Sequence, residues 1–243
     1  MRGGGSGDVI GDGRNPWYKC PTPRRNVLPF VSMGGMSRST EGGTVSEART
    51  RLLNTASRIF YAEGIHSVGI DRIVAEARVT RATLYRHFPS KEHLVVAYLS
   101  GADQAIRGQV AAARATTASP NDQVRAVAKS ITDGIRSEGF RGCAFLNAAA
   151  EYSDPAHPIH RTVLAHRQWF LDTVTDLLAQ TSESTAEAAG RHFVMLRDGA
   201  MAAGCLFDPE LISDTFLHGV EGLLKARTIP ELNADATDSA ARS

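Results

Sequence analysis

Between positions 80 and 91 the chain carries Thr80, Arg81, Thr83, Arg86, His87 and Lys91, hydroxyl and basic side chains that a buried helix face has no use for. At helical spacing Leu84 and Phe88 fall four apart on one side, and Thr80, Arg81, Thr83, Arg86 and His87 look outward. The chemistry such a surface offers is contact with a polyanion. Thr80, at the start of the expected helix, presents a hydroxyl and the free amides behind it to a phosphate. Arg81 and Thr83 come early on the outward face, where base edges are within reach, and an arginine there favours guanine. Lys91 opens the following helix and adds charge where the helix dipole already favours phosphate.

These residues need elements to hold them. Ile70, Ile73, Val74 and Ala77 give a short helix one apolar face just upstream, and a tight turn separates it from the helix at 80–88. Two short helices, the second held across the first, have the format of a helix-turn-helix whose second helix enters a major groove. The motif spans residues 69–88. Ahead of it, Thr44 and Glu47 offer a capping box for a helix with Leu52, Leu53, Ala56, Ile59 and Phe60 on one face and a stop at Gly64. Behind Pro89, Ser90 caps a long helix to about residue 115, with Leu94, Val95, Tyr98, Leu99, Ala102, Ile106 and Val110 as its inner stripe. That helix starts at the reading face and runs past the motif, which makes it the mechanical link to the rest.

In order and spacing, Val79, Leu84, Tyr85, His87, Phe88, Lys91 and Glu92 resemble the signature of the tetracycline-repressor (TetR) family of bacterial transcriptional regulators. The likeness covers residues 46 to about 107. One position departs from it: where the family usually has glycine in the turn, this chain has Arg78, a residue type that resists left-handed backbone. The resemblance implies that Tyr85 and His87 touch the DNA backbone. It also implies an all-α fold of about nine helices, with an N-terminal three-helix DNA-binding domain at 46–106 and a helical ligand-binding and dimerisation domain at 107–227.

The pattern after residue 107 is helical throughout. Helices are expected from Ser119-Pro120 to about 136, over 143–152, from Pro158 to about 180, from a Ser184/Glu187 cap to 206, and from Asp208-Pro209 to 226. In the last two, Gly199, Ala200, Ala202, Ala203 and Gly204 leave little bulk, so that another helix can come close. A palindromic operator needs two reading heads, which a two-fold dimer supplies. The resemblance puts the dimer bundle there, with Gly199, Ala203, Phe216, Val220 and Leu223 as contact candidates. It likewise implies an effector pocket among the middle helices, for which Phe145, Asn147, Trp169, Phe170, Met195 and Arg197 are the candidates. The expected function is a dimeric, ligand-responsive repressor, released from double-stranded operator DNA by a small molecule through tilting of the long helix at 91–115.

Charge is uneven along the chain. Residues 1–45 and 46–92 each carry +3, and residues 93–243 carry −5, for a total of +1. A basic front and an acidic back suit one nucleic-acid face and one domain with other business. Residues 1–45, rich in glycine and without sustained periodicity, read as a disordered extension, either sequence ahead of the true translation start or a basic arm that touches DNA. Residues 228–243 read as a loose polar tail. No apolar run approaches a membrane span, and Cys20, Cys143 and Cys205 form neither a disulfide framework nor a metal spacing, which fits a reducing cytoplasm. An enzyme is not indicated: no histidine has a nucleophile and an acid at a recognisable spacing, and no glycine-rich phosphate loop opens a helix. No cofactor is implied. Two sensing alternatives of the same fold remain, a metal site at Asp154, His157 and His160, and a thiol switch at Cys143.

Overall fold

The computed structural model describes residues 46–181 and 184–228. The expected disordered extension, the capping Thr44, Cys20 and all but the first residue of the expected tail lie outside them. The described residues form nine helices and no strand: α1 Glu47–Glu63, α2 Ile70–Ala77, α3 Arg81–His87, α4 Lys91–Arg114, α5 Pro120–Ile135, α6 Ala144–Glu151, α7 Pro158–Ala179, α8 Ala186–Ala203 and α9 Pro209–Thr228.

Local chemistry starts most of these helices. The hydroxyls of Thr80, Ser90 and Ser119 each accept the N–H three residues on, and Pro120 and Pro158 occupy first turns where no donor is missed. Asp208 accepts from the amides of Glu210 and Leu211 at the head of α9. Two expected caps are corrected. Helix α1 begins behind Ser46 with no side-chain cap bond, and α8 begins behind Thr185 rather than Ser184 and stops at Ala203. Gly64, at φ 90°, supplies the left-handed break after α1.

The apolar stripes close into two cores. The first joins α1–α3 to the front of α4, around Leu52, Ile59, Ile73, Leu84, Leu94 and Leu99, and is completed by Phe145 and Ala148 of α6 and Ile159 and Val163 of α7. The second packs α5, α7, α8 and α9 around Val127, Phe170, Leu177, Phe193 and Phe216, with Val110 from the back of α4. Helix α4 therefore belongs to both, and Ile106 and Met201 touch both. Truncating a wholly buried member such as Leu84 to alanine costs about 2–5 kcal/mol. Helices α7 and α8 approach so closely that a Cβ on Gly190 would stand 2.1 Å from the Thr175 hydroxyl.

Candidate nucleic-acid interface and interior cavity

Helix α3 sits on α1 and α2 through Leu84, which is fully buried, and its other side faces out. Thr80, Arg81, Tyr85 and Arg86 are exposed, Tyr85 at 48% despite its aromatic ring, while Thr83 is half-buried. The Thr80 hydroxyl accepts the Thr83 N–H at 3.1 Å and lies 3.0 Å from the Thr83 hydroxyl. Arg81 pairs with Asp71, so its guanidinium is held at the amino end of α2. His87 is half-buried, its Nε2 3.4 Å from the Ser46 hydroxyl. Lys91 is half-buried at the first turn of α4, where burial pushes its ammonium below the usual lysine range.

The turn itself is left-handed. Arg78 has φ 53° and ψ 51°, and its N–H closes the turn onto the Ala75 carbonyl at 3.2 Å. An L-residue in this conformation carries about 1–2 kcal/mol of strain, which the packing around it sustains. An ionic clasp holds α2 against α1: Arg72 bridges Glu63 and Glu76, and Arg58 reaches Glu76 as well. Bonds from Arg58 and Arg72 hold the Glu76 carboxyl below its usual range, and those from Arg72 do so for Glu63. The amino end of α1 also stacks on the reading unit, with the Arg49 guanidinium 5.1 Å from the Phe88 ring centre.

This arrangement matches known regulators. The family model for "Bacterial regulatory proteins, tetR family" covers residues 52–98. The crystal structure of a TetR-family transcriptional regulator from Streptomyces coelicolor is 73% identical, superposes with a TM-score of 0.74, and is aligned over 75% of this chain and 97% of its own. The chain belongs to the TetR family. It is a DNA-binding transcriptional regulator, and the family consists of regulators rather than enzymes. A putative TetR regulator from Streptomyces avermitilis, 24% identical, shares the fold at a TM-score of 0.66 over 76% of this chain and 100% of that one. Among curated relatives, the transcriptional regulator LmrA of Bacillus subtilis is 27% identical over 148 residues, 59% of this chain and 78% of LmrA. The transcriptional activator FasR of Mycolicibacterium smegmatis is 35% identical over 97 residues, 39% of this chain and 44% of FasR.

Within this TetR-family chain a cavity opens between the two cores, with about 910 Å³ of atom-free space including its solvent-open mouth. Its walls come from α1 (Tyr61), α4 (Tyr98, Gln109), α5 (Ile131), the turn before α6 (Cys143), α7 (Phe170) and α8 (Arg197). Of the candidate pocket residues, Phe170 and Arg197 line it and the others do not. Phe145 is buried and stacks on His166 at 3.6 Å; Asn147 is exposed and bonds to the Arg141 carbonyl; Trp169 lies under the Arg107 guanidinium, 4.0 Å from its ring; Met195 is 69% exposed on the far side of α8. Trp169 and Phe170 point about 100° apart around the helix axis, and it is Phe170 that takes the cavity side while Trp169 packs under Arg107.

Tyr61 and Tyr98 are among the cavity residues that reasoning from the sequence missed: Tyr98 reads as part of the inner stripe of α4, and Tyr61 falls outside the apolar face expected of α1. The Tyr61 hydroxyl donates to the Gly142 carbonyl at 2.9 Å and accepts from the Arg141 N–H at 2.9 Å; burial pushes it up to about 12. Burial raises the Tyr98 phenol too, and its hydroxyl has no hydrogen-bond partner among the described residues.

A shallow apolar groove runs along α8 and α9, lined by Met195, Leu196, Gly199, Ala203, Phe216 and Leu223 among others. Gly199 is open to solvent: a Cβ added there would meet no atom within 4 Å. Two of the small residues turn inward instead: Ala200 is buried, and Gly204 packs on Ile135 and Phe140. Val220 is 1% exposed and Phe216 3%, so both serve the second core; Val220 presents nothing outward and Phe216 only the floor of the groove.

Among the described residues no three His, Cys, Asp or Glu side chains gather as metal ligands. His157 caps α7 through Nδ1, and His160 Nδ1 lies 2.7 Å from the Tyr152 carbonyl. No described helix is long and apolar enough to cross a membrane.

Proposed function

We propose that this TetR-family regulator acts as a homodimer that holds two copies of α3 in successive major grooves of a palindromic operator, and that a small molecule in the interior cavity releases it. The observation that carries the reading is the pairing of an outward basic helix with an interior cavity whose walls include α4, the helix that begins at that reading face. Arg81 and Thr83 would reach base edges, and Thr80, Tyr85, Arg86, His87 and Lys91 would hold phosphates. The open groove on α8 and α9 supports pairing of two copies, since its apolar lining is otherwise left to water. A ligand that fits one arrangement of the cavity better than another would shift α4 and move the heads out of half-site spacing. Operator binding places the protein in the cytoplasm, at the nucleoid.

The test is fluorescence anisotropy of the purified protein on the intergenic DNA beside its own gene, at two salt concentrations, against a scrambled duplex. Salt-sensitive preference for the native DNA, lost in Arg81→Ala/Tyr85→Ala, supports the reading. Equal and weak binding to both duplexes contradicts it.

A further inference from the structure

Arg197 is 4% exposed, yet it lines the cavity, and it is the one charged residue among the lining side chains. Its Nη1 donates to Asp198 Oδ1 at 2.8 Å, and its Nη2 meets only the Cys143 sulfur, at 3.5 Å. The Asp198 carboxylate is not its own. Arg167 of α7 grips both oxygens of the same group. Two guanidinium groups thus share one carboxylate, and no other acidic side chain pairs with either among the described residues. The cluster keeps a net positive charge, and Arg197 Nη2 stands beside the thiol of Cys143, which lines the cavity as Arg197 does. Burying uncompensated charge is costly, and an anion there would offset the cost. The Tyr98 hydroxyl, in the same wall and without a hydrogen-bond partner among the described residues, is open to the cavity as a second donor. Around these donors the walls are mostly apolar, with Ile106, Ile131 and Phe170 among them, and Ser57, Gln109 and Ser130 are the further polar side chains, all neutral.

Resting on the effector-pocket reading, we propose that the cavity takes an organic anion: an apolar, ring- or chain-bearing body with one carboxylate or comparable acid, which pairs with Arg197 and accepts from Tyr98. An arginine fork fits a carboxylate with two parallel hydrogen bonds, so the acid group would be anchored at the α8 side and the body would lie toward α4 and α5. Neutral or cationic molecules of the same shape would leave the guanidinium unmatched or repelled.

The experiment is calorimetric titration of the full chain with two shape-matched sets of probes, 4-phenylbutanoate, 4-phenylbutan-1-ol and 4-phenylbutylamine, and decanoate, decan-1-ol and decylamine. In at least one set the carboxylate binds about tenfold or more tightly than the alcohol, and the amine binds most weakly. Arg197→Lys keeps part of that preference, and Tyr98→Phe, which preserves the ring and the packing, weakens the carboxylate a few-fold and leaves the alcohol unchanged. An alcohol that binds as well as its carboxylate overturns the anion assignment while the pocket reading stands. Failure of all six probes to bind overturns both.

Discussion

The Glu151 carboxylate, on the last residue of α6, accepts the backbone N–H of Ile65 at 2.8 Å, across 86 positions of sequence. It accepts from the His66 N–H as well, so one side chain from the cavity side secures the loop between α1 and α2. At the other end of α6, Tyr61 of α1 grips the turn at Arg141 and Gly142. The reading unit is tied at two points to an element whose first turn lines the cavity. Glu151→Ala strands these two amides, and the expected cost is about 1–3 kcal/mol. Thermal melts would show it as a fall of roughly 2–4 °C per kcal/mol, with Glu151→Gln recovering part. An unchanged melting temperature would mean that the clamp contributes nothing to stability.

Arg78 should respond in the opposite direction. Glycine at φ 53° relieves about 1–2 kcal/mol of strain but adds about 0.5–1 kcal/mol of unfolded-chain entropy. Arg78→Gly is therefore expected to raise stability by about 0.5–1 kcal/mol. Chemical denaturation with an unchanged m-value would establish it; a destabilised variant would mean that the left-handed turn is unstrained here.

The Asp71–Arg81 pair sets a competition on the reading face. DNA must draw Arg81 away from a carboxylate that also repels phosphate. Asp71→Asn is expected to tighten operator binding a few-fold at low salt, the gain shrinking as salt rises. Arg81→Ala is expected to weaken it about tenfold or more with relaxed base preference, whereas Lys91→Ala should lower the log–log salt slope by about 1. Anisotropy titrations over a salt series separate the three, and a slope unaltered in Lys91→Ala would detach that residue from the phosphates.

Acid should loosen the junction of α4 and α7. Burial holds His166 below the usual imidazole range, although its Nδ1 lies 2.7 Å from Asp103 and that carboxylate pulls it upward. A base whose folded value is depressed adds stability above its unfolded value, about 6.5, and loses it as pH falls through the lower folded value, because the unfolded chain then binds more protons. Asp103 acts in the same direction but at lower pH: burial raises it, but bonds from Arg107 and His166 outweigh burial and hold it low. Its share is lost only below the usual carboxylate range, so the decline near neutrality belongs to His166. Melting temperature should therefore decline as pH drops from about 7.5 to 5.5, and His166→Gln should flatten that decline. A wild-type profile level over that window would contradict it.

Met195 tests the pairing surface cleanly because the folded monomer does not need it. Met195→Asp is expected to leave the melting curve of the isolated fold intact and to convert a dimer to a monomer by sedimentation velocity. A dimer that survives would place pairing on another face.

The parts legible in the sequence are those that depend on neighbours along the chain. Ser90, Pro120 and Pro158 announce their helices locally, and Leu84 with Phe88 marks the inner side of α3 without reference to anything distant. The cavity is another matter. Its walls are assembled from α1, α4, α5, α7 and α8, so Tyr61 and Tyr98 acquire their role only when helices far apart in sequence converge. Val220 shows the same blindness in reverse: an apolar position on the last helix fits a pairing face or a core equally well until the side on which α5 lies is known.

Phe145, Ala148, Ile159 and Val163 fill the core beneath the reading helices, although they lie dozens of residues beyond them. The reading unit is contiguous as text but not self-sufficient as an object. Cut out after α4 or grafted onto a foreign body, it would arrive with a hole in its floor. A chimera that swaps heads between relatives should therefore carry α6 and the first turns of α7 along with the graft, and lineages that shuffled such heads would have had to co-adapt these same positions.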